Sequence, residues 1–363
     1  GAMAVVGIVN QESTVSVLST TFEGNVATRI NGDGGAMVAT MANIRIRSST
    51  FLRNKVLSTG RGGAISYAGF KRQREMHIEG TTFEENVARL GGALYMKDTR
   101  MSTNSDVEFK SNVAESGGAI YVETLDNNMR SRAASSMMTL NQLRLRQNQG
   151  SKNGGSIFMS SADISITSFE EGGSNAVEGG GFAYITDGST MRASDGKIEN
   201  THVDILEGKG GAINIDKGSV LDMDQVAMTS MKGYLAQTTG AKYCDSSDCY
   251  SALQGGALYV KSRSTKVTLR DVQMKGFITE AEEGIGGGVY VEGSAEFTMS
   301  KSAISYCNAT SGAAIYAGSD TVVLVQQESV FEHCRSMYEA AAIYIQLASV
   351  NVSDSMLRDN YCE

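Results

Sequence analysis

Gly91-Gly92-Ala93-Leu94-Tyr95 decides how this chain folds, because it recurs. A pair of small residues, a third small residue, a bulky apolar one and often tyrosine appear eleven times along the 363 residues. The series begins at Gly34-Gly35-Ala36-Met37 and Gly62-Gly63-Ala64-Ile65, then continues after Tyr95 as Gly117-Gly118-Ala119-Ile120-Tyr121 and Gly154-Gly155-Ser156-Ile157-Phe158. Next come Gly179-Gly180-Gly181-Phe182, Gly210-Gly211-Ala212-Ile213, Gly255-Gly256-Ala257-Leu258-Tyr259 and Gly286-Gly287-Gly288-Val289-Tyr290. It fades to Gly312-Ala313-Ala314-Ile315-Tyr316 and Ala340-Ala341-Ala342-Ile343-Tyr344. A period mostly of 25 to 31 residues marks stacked units, none of which can bury its apolar face alone.

The pattern inside the repeat selects the kind of solenoid. The second position after the small pair is apolar in every copy and so is the fourth, as in Leu94 and Met96 or Ile120 and Val122, while the third varies. That is the period of a strand with one buried face. Similar alternation in Asn43-Ile44-Arg45-Ile46-Arg47 and Asp163-Ile164-Ser165-Ile166-Thr167 adds further strands per repeat. Short strands punctuated by glycine turns predict an all-β parallel β-helix, a β-solenoid of about three strands per coil. A second column supports this reading: Phe22 with Asn25, Phe51 with Asn54, Phe83 with Asn86, Phe109 with Asn112 and Leu145 with Asn148. Cysteine takes the polar place in Ile304 with Cys307 and Phe331 with Cys334, and asparagine returns in Leu357 with Asn360. Equivalent positions stack roughly 4.8 Å apart, so asparagines at a bend bond to one another and phenylalanines fill the core beneath. The glycines allow positive φ and close passage of backbone.

The joint recurrence of Gly-Gly-Ala-Ile/Leu/Val and Phe-x-x-Asn resembles the repeat signature of the chlamydial polymorphic membrane proteins. The resemblance runs from Phe22 to Asn360, with the Phe-x-x-Asn element blurred between Phe169 and Met274. It implies a right-handed coil, an autotransporter passenger, an extracellular or cell-surface location and adhesion to a host or neighbouring cell.

A stack grows by adding coils, so residues 4–363 read as a single domain of 11–12 coils, a rod on the order of 55 Å. Gly1-Ala2-Met3 reads as a cloning remnant and the whole as a fragment of a longer protein. Two stretches interrupt the period, near 124–136 and 233–254, and insertions leave a solenoid as loops on one face. In the second, Cys244 and Cys249 enclose four polar residues and are expected to form a local disulfide, consistent with an oxidising exterior. A metal site is not expected there, two thiolates being too few ligands. Cys307 and Cys334 share a column and are expected to remain buried thiols.

The net charge of −8 conceals a gradient, with residues 1–150 carrying about +4 and residues 151–363 about −12. Arg45, Arg47, Lys71, Arg72 and Arg74 fall in neighbouring coils and form a candidate basic strip for sulfated glycans, acidic lipids or an acidic protein face. Nucleic acid is not an expected partner of so acidic a molecule. No run approaches the roughly 18 apolar residues of a membrane span, so direct membrane insertion by these residues is not expected. Lateral or end-to-end self-association is a further option for such a stack.

Many parallel β-helices process polysaccharides, by paired carboxylates across a cleft or by a base beside groups that neutralise a uronate. Here the acids are scattered over turns. Asp222 and Asp224 are the nearest approach to a pair, and His77, His202 and His333 fall in separate repeats without partners at a recurring spacing. No catalytic residue and no cofactor are assigned. The position after the aliphatic residue reads Val38, Ser66, Tyr95, Tyr121, Phe158, Ala183, Asn214, Tyr259, Tyr290, Tyr316 and Tyr344, and its parity places it opposite the core. Tyr95, Tyr121, Phe158, Tyr259, Tyr290, Tyr316 and Tyr344 are therefore the candidate outward binding strip, although aromatic ladders also stabilise strands simply by stacking. The reading is a non-enzymatic surface β-helix that adheres to a cell-surface protein or glycan. The alternatives are a polysaccharide lyase or hydrolase and a purely structural surface or wall component.

Overall fold

A computed structural model describes residues 2–7, 13–28, 32–57, 59–69, 74–124, 136–203, 208–230, 254–279 and 284–363. Most of both insertions lies outside them, as do Cys244, Cys249, Lys71 and Arg72. The described residues contain strands, turns and bends, with no helix among them. They form two compact units, residues 1–174 with 189–191, and residues 175–188 with 192–363. Each is a parallel β-solenoid.

In the first unit the Gly-Gly repeats give one ladder of parallel strands: Met3–Val6, Met37–Thr40, Ile65–Ala68, Leu94–Lys97, Ile120–Glu123 and Ile157–Ser160. Register is strict. Leu94 pairs with Ile120 and that with Ile157, while Tyr95 pairs with Tyr121 and that with Phe158. The two glycines of a pair do different things. Gly91 has φ +64°, a backbone region that costs a side-chain-bearing residue energy. At Gly92 the obstacle is space, because a Cβ there would lie 2.1 Å from the carbonyl oxygen of Gly118 in the next coil.

A second ladder carries the short strands Asn43–Arg47, Glu75–Glu79 and Arg100–Asn104, followed at a bend by the Phe strands Thr50–Leu52, Thr82–Glu84 and Val107–Lys110. The two pieces fuse in Ser136–Arg146 and Ala162–Gly172. Phe22, Phe51, Phe83 and Phe109 stack face to face with centroids 4.8, 4.9 and 4.8 Å apart. That spacing is the strand separation itself, so in-register pairing imposes the ring stack.

The corner after each Phe is closed by asparagine. Asn86 Nδ2 donates to Asn112 Oδ1 (3.0 Å) and to the Phe51 carbonyl (2.9 Å), and Asn86 Oδ1 accepts from Asn54 N and Nδ2 (3.0 and 3.1 Å). Asn112 repeats this toward Asn148 and Phe83. The preceding residue is left-handed in each coil, at Arg53, Glu85, Ser111 and Gln147 (φ 52–54°). The asparagine bonds hold this turn closed without a glycine.

The second unit repeats the plan with Ala183–Thr186, Ile213–Ile215, Leu258–Lys261, Val289–Glu292, Ile315–Ala317 and Ile343–Ile345. Here the register corrects the sequence alignment at one place. Ala183 pairs with Ile213 and Tyr184 with Asn214, so the small pair is Gly180-Gly181, and Tyr184 rather than Ala183 occupies the tyrosine column. Three consecutive glycines had left the frame ambiguous, and the positive φ of Gly180 (+65°) fixes it. Cys307 and Cys334 are buried free thiols, as expected.

Candidate binding surface

The tyrosine column is where sequence and structure part. Parity puts these side chains on the face away from the core, but Tyr95, Tyr259 and Tyr290 are only 1%, 3% and 4% exposed, and Tyr121 is also buried. Phe158, Tyr316 and Tyr344 are half-buried. The segment entering each glycine pair forms its own parallel bridges beside the column, Asp33 with Arg61, Arg61 with Leu90 and Leu90 with Ser116 in the first unit. Two of its side chains lie over rings of the column. The Arg61 guanidinium sits 5.0 Å from the Tyr95 centroid, and in the second unit Lys209 Nζ sits 5.5 Å from that of Tyr259.

Within the column the rings stack, Tyr121 on Phe158 at 4.7 Å, Tyr259 on Tyr290 at 5.2 Å, and Tyr290 on Tyr316 and Tyr316 on Tyr344 at 5.1 Å. The hydroxyls are engaged as well. Tyr95 donates to Glu123, Tyr184 to Asp216 Oδ2 (3.1 Å) and Tyr316 to Gln346. Burial, reinforced by the neighbouring carboxylates, holds the Tyr95, Tyr121, Tyr184 and Tyr290 phenols well above their ordinary range. The column is thus in large part a packed aromatic spine. Alternation reveals which face a residue takes but not what covers that face.

The basic strip is also altered. Arg47 pairs with Glu79 (3.1 Å), and the in-register neighbours of Arg45 and Arg47 are His77 and Glu79. Arg74 is buried. Of the three placed arginines only Arg45 stands exposed and outside any described ion pair. Cross-strand pairs of this kind recur, with Lys110 to Glu84 at 2.6 Å, Lys266 to Glu296 at 2.7 Å and Lys261 to Glu292 at 2.9 Å. Alternating signs on adjacent strands cancel the local field that a basic strip needs. Of the carboxylates considered for catalysis, Asp222 lies on the surface 3.8 Å from Arg192.

The sequence reading missed a buried carboxyl. Glu171 is in register with Leu145, so it occupies the Phe/Leu core column, and it is 2% exposed. Glu171-Gly172-Gly173-Ser174 stands in for Phe-x-x-Asn. Glu171 accepts from Ser156 Oγ (2.8 Å) and Ser174 N (3.2 Å), and the ladder ends on these groups, with Asn148 N donating to Ser174 Oγ (3.0 Å) and Asn148 Nδ2 to Ser156 Oγ (3.2 Å). Desolvation pushes the carboxyl up to about 8, against the bonds from the two serines. Its signal in the sequence was the coincidence of Ser156 at the usual alanine place with the loss of Phe-x-x-Asn in the following coil.

The parallel stack, the Phe and Asn columns and the glycine pairs define a β-solenoid repeat protein. Residues 106–123, which carry Phe109, Asn112 and Gly117-Gly118-Ala119-Ile120-Tyr121, match the Chlamydia polymorphic membrane protein repeat, so the chain bears the repeat that the sequence resemblance indicated. Comparison with curated proteins and with solved structures gave no match.

Proposed function

We propose that this chain is a cell-surface β-solenoid, an autotransporter-like passenger segment that binds a host or neighbouring-cell surface and performs no catalysis. The observation that carries the reading is the polymorphic membrane protein repeat at residues 106–123, set in a solenoid whose other coils repeat the same columns. A solenoid of in-register strands presents side chains and loops from a rigid frame, which lowers the ordering cost of binding. With the tyrosine column mostly buried, the half-exposed Phe158, Tyr316 and Tyr344 and exposed side chains such as Tyr338 are the apolar binding candidates among the described residues. The test is display of the chain on a non-adherent bacterium: the account expects a gain of adherence to cultured cells that soluble chain competes away. Display without any gain refutes it.

A further inference from the structure

The tyrosine column of the second unit has one gap. Along it stand Tyr184, Asn214 and Tyr259, each in register with the next. Asn214 is too short to continue the ring stack, so the rings of Tyr184 and Tyr259 are held two strand spacings apart, about 9.6 Å. Asn214 is 4% exposed, yet its Oδ1 has no hydrogen-bond partner among the described residues. Two residues further on the same face, Asp216 accepts from the Tyr184 hydroxyl through Oδ2, while its Oδ1 is likewise unpartnered. Buried acceptors without donors are costly, so groups of this kind are retained where something else donates to them. Backbone approaches closely on one side: a Cβ at Gly179 would lie 2.5 Å from Asn214 Nδ2. On the other side the half-buried Lys209 places its ammonium over the Tyr259 ring, 5.5 Å from the centroid.

We propose that this gap is a binding site for one neutral pyranose residue of a glycan, with Lys209 as a displaceable cover. The deduction rests on the surface-binding function proposed above and names its ligand class. Ring faces of Tyr184 and Tyr259 carry negative quadrupole and attract the C–H faces of a saturated ring. Asn214 Oδ1 and Asp216 Oδ1 offer acceptors, so the ligand supplies hydroxyl donors. The Asp216 carboxylate opposes a uronate or a sulfated sugar. A few convergent polar groups between aromatic walls is the ordinary composition of a small-ligand site. Lys209 is held over Tyr259 by a cation–π contact at a partly solvated place, a weak restraint on its displacement.

The experiment titrates the parent chain, Asn214→Tyr, Asn214→Ala and Asp216→Ala with maltotriose, cellotriose, N-acetylated chitotriose and, as an acidic control, trigalacturonate, by calorimetry and saturation-transfer NMR. The expected result is saturable binding of at least one neutral trisaccharide and none of the uronate. Asn214→Tyr, which extends the ring stack into the gap, loses binding at least tenfold while its melting temperature stays level or rises. Asn214→Ala and Asp216→Ala each weaken binding about tenfold in folded protein. Absence of binding by all three neutral sugars overturns the proposal, as does unchanged affinity in folded Asn214→Ala. Cell adherence of the same proteins separates the two readings: a parent that adheres but binds no neutral sugar refutes the pyranose site alone, whereas a parent that does not adhere refutes the surface-binding function.

Discussion

Replacing Glu171 with glutamine keeps the shape of the side chain and removes its titration. The carboxyl is raised from an ordinary 4.5 to about 8, because it is buried in the core column beside two serines, with no cation to balance it among the described residues. A folded state that binds the proton more tightly than the unfolded chain gains stability from it at low pH. That contribution is fully present below about 4.5, falls as pH rises, and is gone above about 8. The separation of some three to four pH units corresponds to roughly 5 kcal/mol between the two limits. Glu171→Gln should therefore match the parent to about 1 kcal/mol at pH 4.5 and exceed it by several kcal/mol at pH 9. The assay is denaturant unfolding of both proteins from pH 4.5 to 9, with the difference between them cancelling the other titrating groups. A difference that stays flat across this range would refute the account of Glu171 as a neutral, buried acid.

Three further outcomes follow from the columns. Asn112→Ala removes the bonds to Asn148 Oδ1 and the Phe83 carbonyl and strands the donors of Asn86, so denaturant unfolding should show a loss of about 2–4 kcal/mol. Gly92→Ala drives a Cβ to 2.1 Å from the Gly118 carbonyl oxygen and should cost about 3 kcal/mol or prevent folding, which a thermal melt reports. In native protein an aqueous maleimide should label the exposed Cys362 readily and leave Cys307 and Cys334 untouched until denaturant is added. Both of the latter are fully buried, and burial raises the Cys307 thiol well above its usual range, so equal labelling of all three sites contradicts the packing described.

How much of this was legible in advance follows from what repetition reveals. A column is visible in one sequence when the same residue type returns at the same place, so the glycine pairs, the Phe stack and the Asn ladder are readable in the sequence itself. The structure added the division of labour within the glycine pair, since φ and interstrand distance leave the same letter. Exposure was not readable. Tyr95 and Tyr259 occupy outward positions and are covered by Arg61 and Lys209 from a segment whose sequence does not repeat. Tyr184 was misplaced by one residue because Gly179-Gly180-Gly181 permits two frames. Glu171 escaped because a substitution inside a column looks like decay of the repeat, until the matching change at Ser156 is seen to satisfy it.

The measurement that tests the central claim most directly is the binding isotherm of labelled, folded chain on intact cells, with unlabelled chain as competitor. The account predicts a plateau at a finite number of sites, displacement by excess unlabelled protein, and loss of the signal when the chain is unfolded before addition. Binding that rises linearly without a plateau, or that unlabelled chain does not displace, contradicts a surface-recognition function.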